Sequence, residues 1–169
     1  MSARRRLQSL SLLLAPVLTP LAVQGAAAGT PVVFSPAAGV RTTLSVHDRT
    51  VDVVVAGPRE RTPTTIVLDT DRPLHIQIHD VDGDGRQDFS VFHGDDGKGS
   101  FEIRHVYLYS VREGRFLPLL PACGDEFVNP RFDTGARTLV NAYVEDNVWK
   151  TCRMQFGRRP EQVTPKKHR

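Results

Sequence analysis

Nine consecutive residues, Asp80-Val81-Asp82-Gly83-Asp84-Gly85-Arg86-Gln87-Asp88, carry the densest chemistry in the chain. Carboxylates stand at loop positions 1, 3, 5 and 9, with glycine at position 6. Calcium takes six to eight oxygen ligands, and alternating Asp with small residues turns successive side chains inward while glycine permits the sharp bend. The spacing predicts a calcium site formed by Asp80, Asp82, Asp84, the Arg86 carbonyl and Asp88. Magnesium fits less well, because it demands a tighter octahedron and gives up water reluctantly. Position 12 is Val91 rather than Glu, so the helical EF-hand is not implied and a strand-loop-strand is. Four converging carboxylates repel by about 1 kcal/mol per pair even in water, which calls for a cation.

Other residue groups offer weaker chemistry. His75 and His79 share one face of a strand but stand about 13 Å apart, too far to bind one zinc ion together. With His93 and His105 they are expected to be surface histidines on a sheet. Asp69 and Asp71 have the composition of a glycosidase pair, but Asp69-Thr70-Asp71-Arg72-Pro73 is a turn sequence between two strands. No G-x-S-x-G, H-E-x-x-H or phosphate-cradling glycine loop occurs, so the expectation is that the protein is not an enzyme. Tyr107 and Tyr109 lie on one strand face, next to the glycine-rich loop Gly94–Ser100, and this region is either a core strand or a partner-binding edge.

The elements that must position these groups are short. Apolar-alternating runs recur between Gly, Pro and Asp about every ten residues, the pattern of an all-β domain. Strands are expected at Pro31–Ser35, Arg41–Val46, Thr50–Ala56, Thr64–Leu68, Leu74–His79, Asp88–His93, Phe101–Val111, Arg137–Val144 and Trp149–Phe156. In Leu74–His79 the alternation puts Leu74, Ile76 and Ile78 in the core and His75, Gln77 and His79 outside. Gly57–Pro63 is an exposed connection, and Arg112–Arg115 and Glu145–Asn147 are hairpin turns. The fold class is an antiparallel, sandwich-like all-β domain.

Arg4-Arg5-Arg6, an apolar run from Leu7 to Val23 and the small residues Gly25–Gly29 have the form of a secretory signal, with cleavage expected after Ala28. The proposed division is a signal peptide (1–28), a calcium-binding β domain (29–157) and a basic flexible tail (158–169). Residues 29–157 hold 14 basic and 18 acidic side chains, so the body is acidic although the whole chain carries a net charge of +3. Cys123 and Cys152 are an even pair in an exported chain, which favours a disulfide. The expected location is the periplasm.

The ordered set of the acidic loop, Asp88-Phe89-Ser90-Val91-Phe92, the glycine-rich loop, Tyr107-Leu108-Tyr109, Gly114-Arg115-Phe116 and Asn129-Pro130-Arg131-Phe132-Asp133 resembles a bacterial family. These are small periplasmic calcium-binding immunity proteins of bacteria that deliver peptidoglycan hydrolases through type IV secretion, similar in fold to periplasmic lysozyme inhibitors. The resemblance covers about residues 74–156. It implies calcium at Asp80, Asp82, Asp84 and Asp88, and a contact face around Gly97, Gly99, Ser100, Tyr107 and Tyr109 for a lysozyme-like peptidoglycan hydrolase as partner. The function it implies is inhibition of that hydrolase by protein contact. The alternative is a calcium-dependent carbohydrate-binding or adhesion module, with Tyr107, Tyr109 and Trp149 stacking on sugar rings.

Overall fold

The computed structural model describes residues 29–58, 60–94, 101–157 and 163–165. Among the described residues, twelve strands form two antiparallel sheets. The smaller sheet has the order β1(Val32–Phe34), β2(Arg41–His47), β3(Thr50–Ala56), β4(Arg61–Val67). The larger runs β12(Val163–Pro165), β11(Val148–Phe156), β10(Thr138–Glu145), β9(Phe127–Asp133), β7(Glu102–Ser110), β6(Asp88–Gly94), β5(His75–His79), with β8(Arg115–Leu119) paired to β7. It curls into a half-barrel, so the domain is sandwich-like and all-β as the alternation predicts.

The two faces of the curled sheet bury two separate cores. On one side Phe89, Val91 and Tyr109 pack with Leu44, Val51, Val53 and Val55 of the smaller sheet. β3 shows why: every second residue of Thr50–Ala56 is buried, and valines fill those positions. Inside the curl Val81, Val106, Leu108, Phe127, Leu139, Met154 and Phe156 form the second core. Arg104 is buried beside it, its Nη1 donating to Gln77 Oε1 at 2.6 Å and Ser90 Oγ at 2.7 Å, its Nε donating to Glu102 Oε1, and its guanidinium 4.3 Å from the Phe92 ring centroid. Those partners satisfy a buried cation that would otherwise be costly.

Hairpin geometry follows local sequence. Asp146 and Asn147 both take positive φ between the paired Glu145 and Val148, the two-residue turn that matches strand twist. The prolines misled in three places. β4 begins at Arg61 and contains Pro63, where an exposed connection was expected; β8 contains Pro118 and β9 contains Pro130, and neither was anticipated as a strand. Pro63 and Pro118 lie on strands paired along one edge only, where a missing N–H is harmless. Pro130 falls where the β9–β10 register shifts, next to Asn129 with φ of 44°.

The expected signal segment, residues 1–28, lies outside the described residues, as do residues 158–162 and 166–169 of the basic tail. The tail is not free along its whole length, because Val163–Pro165 pairs with the outer edge of β11 and satisfies part of that edge. Among the described residues no helix is long and apolar enough to cross a membrane.

Candidate metal centre

The acidic loop joins β5 to β6 and closes against the far end of the curled sheet. Asp80 accepts from three backbone amides, Gly83 N at 2.8 Å, Asp84 N at 3.1 Å and Gly85 N at 2.9 Å. Asp82 Oδ1 accepts from Asp84 N at 3.0 Å. Asp88 spans two elements, with Oδ2 accepting from Val81 N at 2.9 Å and Oδ1 from Tyr109 N at 2.8 Å. Successive amides thus bend the chain around the carboxylates. Gly83 and Gly85 supply the positive φ values of 70° and 85° that the bend requires.

Carboxylate oxygens of Asp80, Asp82 and Asp88 lie within 4.8 Å of one another, a group that can hold a metal ion. Asp82 is 1% exposed and Asp88 is 2% exposed. Asp82 Oδ2 is buried and has no hydrogen-bond partner. A buried carboxylate oxygen without a donor is strongly disfavoured, so its environment matches one completed by a cation. Burial raises Asp88 from 3.8 to about 7 and Asp82 from 3.8 to about 6; for Asp82 the Asp84 charge adds to the effect. All-carboxylate donors select a hard cation of the calcium or magnesium kind over a soft one.

Asp84 departs from the expected ligand set. Its Oδ2 takes Arg86 Nη1 at 2.5 Å and its Oδ1 accepts Arg86 N at 2.9 Å, so it is outside the converging group. The reason is local: the Arg86 guanidinium, two residues along, reaches the buried Asp84 carboxylate and engages it in an ion pair.

Two residues that no motif flags hold the loop in place. Thr134 Oγ1 donates to Asp80 O at 2.9 Å, and Arg137 Nη1 donates to Gly83 O at 2.6 Å while its Nη2 reaches Gly157 O at 2.6 Å. Both lie 54 residues from their loop partners, in the β9–β10 turn, where sequence spacing carries no signal. A Cβ on Gly83 would stand 2.6 Å from Thr134 O and 2.8 Å from Arg137 Cγ. One on Gly85 would meet nothing within 4 Å. Gly83→Ala should therefore cost about 2 kcal/mol or more, from φ strain plus the backbone clash, and Gly85→Ala about 1 kcal/mol from strain alone. Urea denaturation of the two variants checks the order; equal losses would mean that the β9–β10 turn does not press on the loop.

The remaining candidates are placed as follows. Tyr107 and Tyr109 share a face as expected, but that face is turned into the sandwich: Tyr109 is 4% exposed and Tyr107 is half-buried, stacked on Phe89 at 4.9 Å. Phe89 occupies the paired position opposite Tyr107, which draws the phenol rings inward. Gly97, Gly99 and Ser100 lie outside the described residues. Trp149 is 51% exposed and rests on Phe101 with ring centroids 4.8 Å apart.

His75 is exposed and stacks on Phe92, and the others are half-buried rather than on the surface. His79 packs edge-on against Phe132 at 4.5 Å, inside the curl, and burial with Arg104 nearby lowers it from 6.5 to about 4. The histidines enter no three-ligand group among the described residues. Asp69 and Asp71 flank a bend in which Thr70 Oγ1 accepts Arg72 N at 3.1 Å, the turn expected of them.

Cys123 and Cys152 form a disulfide with Cα atoms 6.3 Å apart, clipping the β8–β9 connection to β11. Such a bond belongs to an oxidising, exported environment. No family model, no curated protein and no solved structure matches the chain.

Proposed function

We propose that this is an exported calcium-binding protein that acts by contact with another protein, inhibiting a lysozyme-like peptidoglycan hydrolase in the periplasm. The observation that carries the calcium half is the unpartnered, buried Asp82 Oδ2 within the Asp80, Asp82 and Asp88 group. Those three residues would hold the ion, with carbonyl oxygen from the Arg86 region completing a shell of the size calcium prefers. Its chemistry there is structural: it neutralises converging carboxylates and stiffens the corner from which β6 starts.

The hydrolase half is supported by the resemblance of residues 74–156. A blocker of a polysaccharide cleft gains from rigidity, because less order has to be imposed on binding. The ion fixes the start of β6, and β6 carries the base of the glycine-rich loop at its other end. The test is turnover of a peptidoglycan hydrolase encoded beside this protein, measured with the protein added at micromolar concentration. Inhibition in calcium, weakened by a chelator and by Asp82→Asn with the fold intact by circular dichroism, supports the reading. Full hydrolase activity under every condition overturns it.

A second reading, a carbohydrate-binding module, is favoured by the exposed Trp149 on Phe101, since aromatic faces stack on sugar rings. Two of the three rings first assigned to it, Tyr107 and Tyr109, face the interior. Retention on a peptidoglycan column that Trp149→Ala abolishes would favour this reading over inhibition.

A further inference from the structure

β7 forks the larger sheet. Along one edge its residues Ile103 and Arg104 pair with β9, and Val106 to Ser110 pair with β8, so His105 faces neither partner there. Between the diverging strands lies a cleft of about 110 Å³. Its walls are apolar, built from Val106, Pro118, Leu119, Pro121 and Phe127. Leu120 at the lip is 75% exposed, more than any other exposed large apolar side chain described. Asp125 and Glu126, both exposed, share the lining with His105 and Tyr107; neither carboxylate forms an ion pair with a described residue, although the Glu126 charge acts on the half-buried His105 imidazole. Arg104 also lines the cleft, but Glu102, Gln77 and Ser90 occupy its guanidinium.

The acidic wall is held from behind. Asn141, 1% exposed, donates from Nδ2 to Cys123 O at 3.1 Å and Glu126 O at 2.9 Å, and its Oδ1 accepts Val128 N at 2.8 Å. The disulfide anchors the same segment to β11. Gly124, with φ of 67°, allows the chain to pass so near Tyr143 that a Cβ would stand 2.8 Å from the tyrosine Cβ. Three independent constraints fix a segment that a plain loop would leave free, and a fixed wall binds with less ordering cost.

An apolar slot with two unpaired carboxylates at its rim is complementary to an aliphatic stem carrying a cation. We infer that the β8–β9 cleft is a docking pocket for a lysine or arginine side chain projecting from a partner protein, with the stem against Leu119, Leu120 and Pro121 and the charge at Asp125 and Glu126. The acidic body, 18 acidic against 14 basic side chains in residues 29–157, steers such a basic surface toward it. The pocket stands whether or not the partner is a hydrolase.

The test uses the purified protein, ¹⁵N-labelled, titrated with Nα-acetyl-lysine methylamide, its arginine counterpart and the neutral isostere Nα-acetyl-norleucine methylamide. Saturable amide shifts are expected at His105, Leu120 and Glu126 with the two cationic compounds. Norleucine should bind about five-fold more weakly, the scale of two part-exposed ion pairs. Asp125→Asn/Glu126→Gln should erase that preference while leaving the rest of the spectrum superimposable. Equal binding of norleucine, a preference that survives in the double variant, or no saturable shift in the cleft up to about 50 mM ligand, well above the millimolar range of such weak contacts, would overturn the inference. Because no hydrolase enters the experiment, its failure is separable from failure of the inhibitor reading.

Discussion

Calcium at about 100-fold over its dissociation constant should raise the melting temperature by about 10 °C, and Asp82→Asn should remove the rise. The magnitude follows from linkage, since that excess contributes about 2.7 kcal/mol. A domain of this size gains about 3 to 4 °C per kcal/mol. Asn keeps the Oδ1 acceptor used by Asp84 N and deletes the charge, so the substitution separates cation binding from the turn's own hydrogen bond. Asp84→Ala, by contrast, should retain part of the rise, because Asp84 is engaged by Arg86. Differential scanning calorimetry with and without calcium decides; an undiminished rise in Asp82→Asn would exclude the site.

The same carboxylates give the site a pH signature. With calcium chelated, Asp82 and Asp88 bind protons in the folded state up to about pH 6 and about pH 7, against 3.8 in the ordinary state. Between those values the folded form holds more protons than the unfolded one, so the stability these groups lend is present at low pH and lost as pH rises. His79 acts in the opposite sense. Its folded value of about 4 lies below 6.5, so its contribution is lost as pH falls. Burial lowers His105 as well, so it acts with His79, but the two carboxylates carry the larger shifts and the chelated protein should become less stable from pH about 4.5 to about 6. Calcium keeps both carboxylates ionised, removes their share and leaves His79, so the slope should reverse sign. A rising slope in chelator would contradict the buried placement of Asp82 and Asp88.

Loss of the disulfide should cost about 3 to 4 kcal/mol, the loop-entropy value for cysteines 29 residues apart. Urea unfolding of Cys123→Ser/Cys152→Ser against wild type measures it. Intact-mass analysis should show no alkylation before reduction and two adducts after, as the pairing of both cysteines requires. The variant should keep its calcium-dependent rise, because the bond clips the β8–β9 connection and the acidic loop is held separately by Thr134 and Arg137. It should lose lysine-side-chain binding at the cleft, whose acidic wall the bond anchors. A calcium response lost along with the disulfide would mean that the two sites are not independent.

Local sequence determined a good deal here. The alternation in Thr50–Ala56 named a strand and its buried face, because a period of two is the strand's own geometry, and the apolar run of Asp88–His93 named a strand that is buried on both faces. The Asp and Gly spacing of residues 80–88 located the acidic loop, since successive residues bend the backbone and aim the side chains. Three things were decided only in three dimensions. Asp84 dropped out of the converging group because a neighbouring guanidinium competes for it, and spacing is blind to that competition. Tyr107 and Tyr109 turned inward because alternation assigns residues to faces without saying that both faces of a curled sheet are buried against cores. The β7 fork, with Asp125 and Glu126 across from Leu119, arises where two proline-bearing strands diverge from a common neighbour. Such a cleft depends on which strands pair, and pairing is set by packing energy summed over the whole sheet rather than by any residue's immediate neighbours.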